Sequence, residues 1–208
     1  MPIVESIPIA QRAPGYRPIR QVPPAAAKLR ILATADRLFY DEGIRSVGID
    51  RLISESGVTK ATFYKHYGSK DRLILEYVLG RHRAAVAAIE TIDAENSGPA
   101  ARLDAIVAGI VAEMHSETFR GCAFINAAAE FGDVSHPVRV AISEHRDWYT
   151  DVLAERLRAA GHPLSGDAAD DLVLARDGAM SGGYAGDRIA AIAAFQRASA
   201  RILADNGA

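Results

Sequence analysis

Apolar side chains recur at helical spacing along most of the chain, and breaks rich in Gly, Pro and Asn separate the periodic stretches. The pattern predicts a first helix over 28–41 and a long helix that begins at Lys70 and ends near Asp93. Further helices are predicted over 101–118, 122–130, 137–160, 167–184 and 188–205. Extended runs with the alternation of a β-strand are absent from the sequence, so the predicted class is all-α without internal repeats.

Residues 49–70 predict two short helices around a tight turn. Ile49, Leu52 and Ile53 are spaced to share one face of the first helix. Gly57 follows, and glycine adopts the left-handed conformation that ends a helix without a Cβ clash. Thr59 is a good N-cap for the second helix. The segment therefore predicts a helix-turn-helix, a motif that lays its second helix in the major groove of DNA.

The second short helix has an inner and an outer face. Phe63 and Tyr67 are four residues apart, so they share a face and are expected to pack inward. The remaining positions are small, hydroxyl-bearing or basic, which suits an approach to base edges and phosphates. Ser69 is expected to cap the long helix that follows.

The stretch from about Lys28 to about Arg83 resembles the DNA-binding domain of the TetR family of bacterial transcriptional regulators. The matching residues are Ile31, Leu32, Ala35, Leu38, Phe39, Gly43, the run Gly57 to Lys60, the run Thr62 to Tyr64, and His66, Tyr67, Ser69 and Lys70. The resemblance implies a dimeric regulator, most often a repressor, that leaves a palindromic operator when a small molecule binds. It implies base contacts from Lys60, Ala61, Thr62 and Tyr64, and phosphate contacts from Thr59, Lys65, His66 and Lys70.

Two residues depart from the family pattern. Gly48 stands where the family usually has Thr or Ser as the cap of the second helix, and glycine is a weaker cap. Ile53 stands where the family usually has Ala, which predicts wider packing between the first two helices. Both changes bear on the docking angle and leave the implied DNA contacts in place.

Charge divides the chain into a basic and an acidic part. Residues 1–83 carry 14 Lys and Arg against 8 Asp and Glu, whereas the whole chain has a formal charge of −2. We therefore expect residues 25–83 to form the DNA-binding domain and 84–208 to form an acidic domain for ligand binding and dimerisation. Residues 1–24 hold six of the nine prolines and are expected to form an extended arm, either a plain tail or one that reaches DNA.

The sequence offers no signal for a membrane or a cofactor. No apolar run approaches the ~20 residues that span a bilayer, and the N-terminal apolar pieces are too broken for a signal peptide. A single cysteine allows no internal disulfide. We expect a cytoplasmic protein that binds neither a cofactor nor a metal.

The acidic part is expected to hold an effector pocket and a dimer interface. An apolar pocket would be lined by aromatic, Met and a few polar side chains, for which the candidates are Met114, His115, Phe119, Phe124, Asn126, Trp148, Tyr149 and Met180. Such a lining would favour an apolar effector. Small and apolar residues of the last two helices are candidates for the dimer interface, by analogy with the family, namely Ala175, Ala179, Gly182, Ile189, Ile192 and Phe195.

Three other functions remain open on sequence alone. One alternative is a regulator that acts without a ligand or as an activator, because the reading helix is the same in each case. A general nucleoid-type DNA binder would share its basic character. A helical enzyme would need a reactive group, and Cys122 is the only nucleophile worth testing, since no phosphate loop, GxSxG or HExxH motif is present. The prediction is a regulator and not an enzyme.

Overall fold

The computed structural model describes residues 24–204, and this part of the chain is helical without strands. Nine helices follow one another in it. They are α1 (Pro24–Glu42), α2 (Ile49–Ser56), α3 (Lys60–Tyr67), α4 (Lys70–Glu95), α5 (Pro99–His115), α6 (Ala123–Ala129), α7 (Pro137–Ala159), α8 (Ser165–Ala185) and α9 (Arg188–Ala204). The all-α prediction is confirmed, and so is the long helix from Lys70. The predicted arm lies outside the described residues except for Pro24, with which α1 begins.

Local sequence signals explain most helix ends. Pro99 and Pro137 stand at the first positions of α5 and α7, where the missing amide hydrogen leaves no bond unmade. The helix predicted over 101–118 ends at His115, because Ser116 to Thr118 form a hydrogen-bonded turn. The predicted boundaries of the other body helices differ from the observed ones by a few residues.

One of two buried apolar clusters runs from the DNA-binding head, formed by α1 to α3 and the start of α4, into the helical body. The first cluster of buried side chains joins Ile31, Leu38 and Phe63 of the head to Met114 and Phe195 of the body. A second cluster lies farther along α4. Because α4 contributes to both, it connects the head mechanically to the far part of the body. Within residues 24–204, no helix is long and apolar enough to cross a membrane.

Candidate DNA interface and effector cavity

The turn of the helix-turn-helix has the predicted geometry. Gly57 adopts a left-handed conformation (φ 61°, ψ 39°) at the end of α2. The amide of Val58 then donates to the carbonyl of Ile53 at 3.3 Å, which closes the turn. The Thr59 hydroxyl caps α3 by accepting from the amide of Thr62 at 3.2 Å, and the Ser69 hydroxyl caps α4 in the same way. Since these are local interactions, sequence alone was enough to predict them.

The two departures from the family pattern have visible consequences. Gly48 precedes α2 in an extended conformation, and α2 receives no side-chain cap there. Ile53 is half-buried and packs against the head core. An Arg–Glu network that sequence reasoning missed secures α2 instead. In it, Arg51 binds Glu42 of α1 and Glu55 of α2, while Arg37 binds Glu55.

Helix α3 presents the predicted outer face. Phe63 and Tyr67 are buried, and the Tyr67 hydroxyl donates to the carbonyl of Lys28 at 3.0 Å. Burial raises the pKa of Tyr67 to about 12, so this hydroxyl remains a donor at neutral pH. On a flank of the helix, Tyr64 is 41% exposed and its ring packs edge-on against Phe63. The other proposed base-reading residues lie at the same surface, where Lys60 and Ala61 are exposed and Thr62 is half-buried.

The residues expected to meet phosphates differ in accessibility. Lys65 is exposed and His66 is half-buried. The Thr59 hydroxyl is already engaged with Thr62. The Lys70 ammonium donates to the carbonyl of Ile44 at 2.6 Å, and burial lowers its pKa. Since an ammonium has three hydrogens, this bond leaves two for a phosphate, but Lys70 also ties α4 to the head.

A cavity of about 320 Å³ lies in the body along α4. Its lining begins at Arg81 and continues through Ala84, Ala88 and Ile89 to Ile92, which corresponds to about 16 Å of helix at 1.5 Å per residue. Small side chains on α4 leave this space open. Residues of α5, α6, α7 and α8 complete the lining, namely Ile106, Gly109, Ile110, Glu113, Ala123, Phe124, His145, Tyr149 and Arg176, together with Cys122 before α6.

Polar groups gather at one part of the cavity wall. The Arg176 guanidinium lies over the Tyr149 ring, 5.4 Å from its centroid. Its Nη1 donates to Asp177 Oδ1 at 2.9 Å and contacts Cys122 Sγ at 3.6 Å. Asp177 also accepts from Arg146 at 2.5 Å. In the described chain, the hydrogen bonds of Arg176 use Nη1 alone, and the Tyr149 hydroxyl has none.

A histidine pair joins α4 to α7 beside the cavity. The Nδ1 atoms of His82 and His145 are 3.1 Å apart, so one ring donates to the other. His145 stacks on Phe124 with ring centroids 3.5 Å apart. Burial and the neighbouring charges of His82, Arg176 and Arg146 lower the pKa of His145 to about 3. His145 is therefore neutral at physiological pH.

The structure brings only part of the predicted pocket set to the cavity. Phe124 and Tyr149 line it. The other six candidates lie outside its lining: Met114, Phe119 and Met180 are buried in the core, His115 is exposed, Trp148 packs on His82, and Asn126 donates to the carbonyl of Arg120. The expectation of a lining with few charges also changes, because Arg81, Glu113 and Arg176 belong to the wall.

Two hydrogen-bonded contacts flank α6 and fasten the body to the head. Before α6, the Tyr40 hydroxyl of α1 donates to the carbonyl of Gly121 at 2.9 Å and accepts from the amide of Arg120 at 3.0 Å. After α6, the carboxylate of Glu130 accepts from the amides of Ile44 and Arg45, both at 2.7 Å. Since the first residues of α6 line the cavity, this helix connects the cavity wall to the head.

The dimer candidates divide into buried and exposed residues. Ala179, Ile192 and Phe195 are buried in the chain's own core, and Ala175 is half-buried. Gly182 is exposed and Ile189 is 80% exposed. On the same outer face of α8, Leu174 is 72% exposed, a residue that the sequence-based selection missed. The α8–α9 hairpin thus presents the large apolar side chains of Leu174 and Ile189 to solvent.

Comparisons with known proteins agree with this architecture. Residues 31–77 match the model of bacterial regulatory proteins of the tetR family, and residues 99–172 match a tetracyclin repressor-like C-terminal domain. A solved TetR-family transcriptional regulator from Streptomyces coelicolor is 38% identical, covers 88% of this chain and 97% of its own, and superposes with a TM-score of 0.84.

Two curated relatives add to this result. The HTH-type transcriptional regulator LmrA of Bacillus subtilis is 29% identical over 134 residues, 64% of this chain and 71% of the relative. The HTH-type transcriptional activator FasR of Mycolicibacterium smegmatis is 34% identical over 70 residues, 34% of this chain and 32% of the relative.

In this structure Cys122 is buried, and no hydrogen bond in the described part joins it to His115. The chain belongs to the TetR family of DNA-binding transcriptional regulators, which are not enzymes.

Proposed function

We propose that this regulator is a homodimeric repressor that binds a palindromic operator and is released from it by a small molecule. One observation carries the proposal: the cavity lies along α4, whose first turn belongs to the DNA-binding head. A molecule in the cavity therefore touches the helix that positions α3.

Helix α3 reads the operator through Lys60, Ala61, Thr62 and Tyr64. The operator is first selected from random-sequence DNA by repeated binding. Tyr64→Ala is then expected to weaken specific binding by ~1–3 kcal/mol, because Tyr64 faces the groove. Lys65→Ala is expected to weaken binding to all DNA and to lower the salt slope by ~1, because it meets a phosphate. Gel shifts measure both, with Arg158→Ala on the body as control. If both variants bind DNA as tightly as the wild type does, α3 does not form the DNA interface.

The dimer forms through the outer face of α8 and α9. Two readers on a palindrome require half-sites about one helical turn, ~34–36 Å, apart. A charge at Leu174 or Ile189 would be desolvated in the interface, so Leu174→Glu and Ile189→Glu are expected to yield monomers. Ala179 and Ile192 are unsuitable for this test because they are buried within one chain. Light scattering decides the matter, with Val134→Glu in the exposed α6–α7 loop as control. Dimers of both interface variants would place the contact elsewhere.

Ligand binding releases DNA by moving α4 and α6 together. A palindrome has fixed spacing, so a shift of the two readers breaks contacts at one half-site. The ligand must bind the DNA-free shape more tightly, with a coupling free energy of ~1–3 kcal/mol, and operator DNA must weaken ligand binding by the same factor. Titrations of a cavity ligand with and without operator test this reciprocity. A cavity ligand that leaves operator affinity unchanged would refute it.

Activation of transcription is the second candidate, because an activator, FasR, is among the relatives. Both functions use the same DNA-binding geometry. In vitro transcription from a promoter that carries the selected operator separates them: a repressor lowers RNA synthesis, and an activator raises it.

A further inference from the structure

The cavity combines a long apolar wall with a largely buried arginine, Arg176, whose guanidinium has unused donors. Ala84, Ala88 and Ile92 supply the apolar wall along α4. At the polar part of the lining, Nη1 of Arg176 donates to Asp177 and contacts Cys122. Its Nε and Nη2 make no hydrogen bond with any described residue, although a guanidinium is always charged and offers five donors. Nε and Nη2 of Arg176 therefore remain available to a ligand.

The charges around the cavity favour an anion next to Arg176. Arg81 is neutralised by Asp36, which accepts from its Nε at 2.6 Å and its Nη2 at 3.0 Å. Asp177 is shared between Arg176 and Arg146, so this trio keeps one net positive charge. The side chain of Arg176 is only 16% exposed, so water screens that charge poorly. Glu113 is the acidic residue of the lining; it is exposed on α5, and its charge contributes to the raised pKa of Tyr149.

The Tyr149 hydroxyl completes the site. Its ring lies beneath the Arg176 guanidinium, so both groups belong to the same wall. The hydroxyl has no partner among the described residues, and burial raises the pKa of Tyr149, which keeps it a donor at neutral pH. An arginine fork and a phenol hydroxyl together match the oxygens of a planar carboxylate.

We propose that the effector is a small amphiphilic acid, whose carboxylate binds Arg176 and Tyr149 and whose apolar body lies along Ala84, Ala88 and Ile92 of α4. The inference rests on the proposed effector response and adds the chemical class of the effector. At about 320 Å³ the cavity lies near the lower end of the ~300–1,000 Å³ typical of small-molecule pockets, which suits a small acid.

Calorimetry on the full chain tests the head group directly. Octanoate, octanamide and octylamine have about the same size and differ in charge. Octanoate is expected to bind roughly tenfold or more tightly than octanamide, because a charge-assisted pair is lost in the amide. Arg176→Met should abolish this difference, and Tyr149→Phe, which leaves the Arg176–Asp177 pair intact, should reduce it. Arg158→Met, an exposed arginine on α7, is the matched control and should bind all three as wild type does.

Several outcomes would overturn the proposal. Equal binding of octanoate and octanamide, preference for octylamine, or no binding by any of the three would each remove the acid-binding head. An octanoate preference that persists in both Arg176→Met and Tyr149→Phe would do the same. Failure to select an operator from random-sequence DNA would instead refute the proposed function. The two outcomes are separate because calorimetry measures ligand binding to the cavity without DNA.

Discussion

A single substitution at Glu130 can test the contact between the body and the head. Its carboxylate accepts from the amides of Ile44 and Arg45, both at 2.7 Å, and the residue is half-buried. Glu130→Gln keeps the size and shape of the side chain, but an amide has only one oxygen. One backbone amide would then face an NH2 group instead of an acceptor.

The cost follows from the hydrogen bonds lost. A hydrogen bond to a charged group contributes about 1.5–3 kcal/mol, and partial exposure places this one near the lower end. Glu130→Gln is therefore expected to lower the free energy of unfolding by about 2 kcal/mol. Urea unfolding followed by circular dichroism measures it. Glu155→Gln, on the exposed side of α7, is the matched control and should stay within about 0.5 kcal/mol of wild type.

The same variant reports on induction. Because α6 begins at the cavity and is followed by Glu130, weakening this contact should reduce the change in operator affinity that a cavity ligand causes. A Glu130→Gln protein as stable as wild type would refute the energetic reasoning. A destabilised variant with unchanged coupling would show that α4 alone transmits the signal.

Two more predictions concern buried polar groups. His145 has a folded-state pKa of about 3, below its ordinary value near 6.5, so the unfolded chain binds more protons between these values. The contribution of neutral His145 to the unfolding free energy is therefore fully present above about pH 6.5, and it falls on acidification by up to about 1.4 kcal/mol per pH unit. His145→Phe should flatten the plot of unfolding free energy against pH between pH 6.5 and 5, while His115→Gln, at an exposed position, should leave it steep. An unchanged slope in His145→Phe would mean that other groups cause the pH dependence. Ser199 is 1% exposed and its hydroxyl has no partner in the described structure, so Ser199→Ala should raise the unfolding free energy by about 1 kcal/mol in urea titrations, and a loss of stability would reveal a hidden partner.

The helix-turn-helix was predictable because its signals are local. Gly57, Thr59 and Ser69 form hydrogen bonds with residues three or four positions away, so their roles can be predicted from neighbouring residues in the sequence. The inward pair Phe63 and Tyr67 follows from helical periodicity alone. The same reasoning predicted α4 from its first residue.

The cavity was harder to predict because a space is defined by what side chains leave empty. Most candidates were selected as aromatic or Met residues, and such large side chains fill the core, as Met114 and Met180 do. The useful signal was the small-residue stretch of α4 around Ala84 and Ala88. The place of Arg176 in the cavity wall gave no local signal, since its contacts with Cys122 and Tyr149 join positions distant in sequence.

The contacts between head and body were also beyond sequence reasoning. Tyr40 reaches Gly121 and Glu130 reaches Ile44 across more than eighty residues. No spacing rule relates positions so far apart. The dimer face shows the same limit, because periodicity did not distinguish the buried Ile192 from the exposed Ile189.

The continuous core has a consequence for engineering. A graft that moves only the DNA-reading head onto another body treats the head as a separable unit. Here a graft that ends after α3 would cut through a shared core and discard the acceptors at Gly121 and Glu130 and the donor at Arg120. A functional hybrid of this protein must transplant Tyr40 and the Ile44–Arg45 loop together with the 120–130 segment, so the portable unit is the head with its receiving surface.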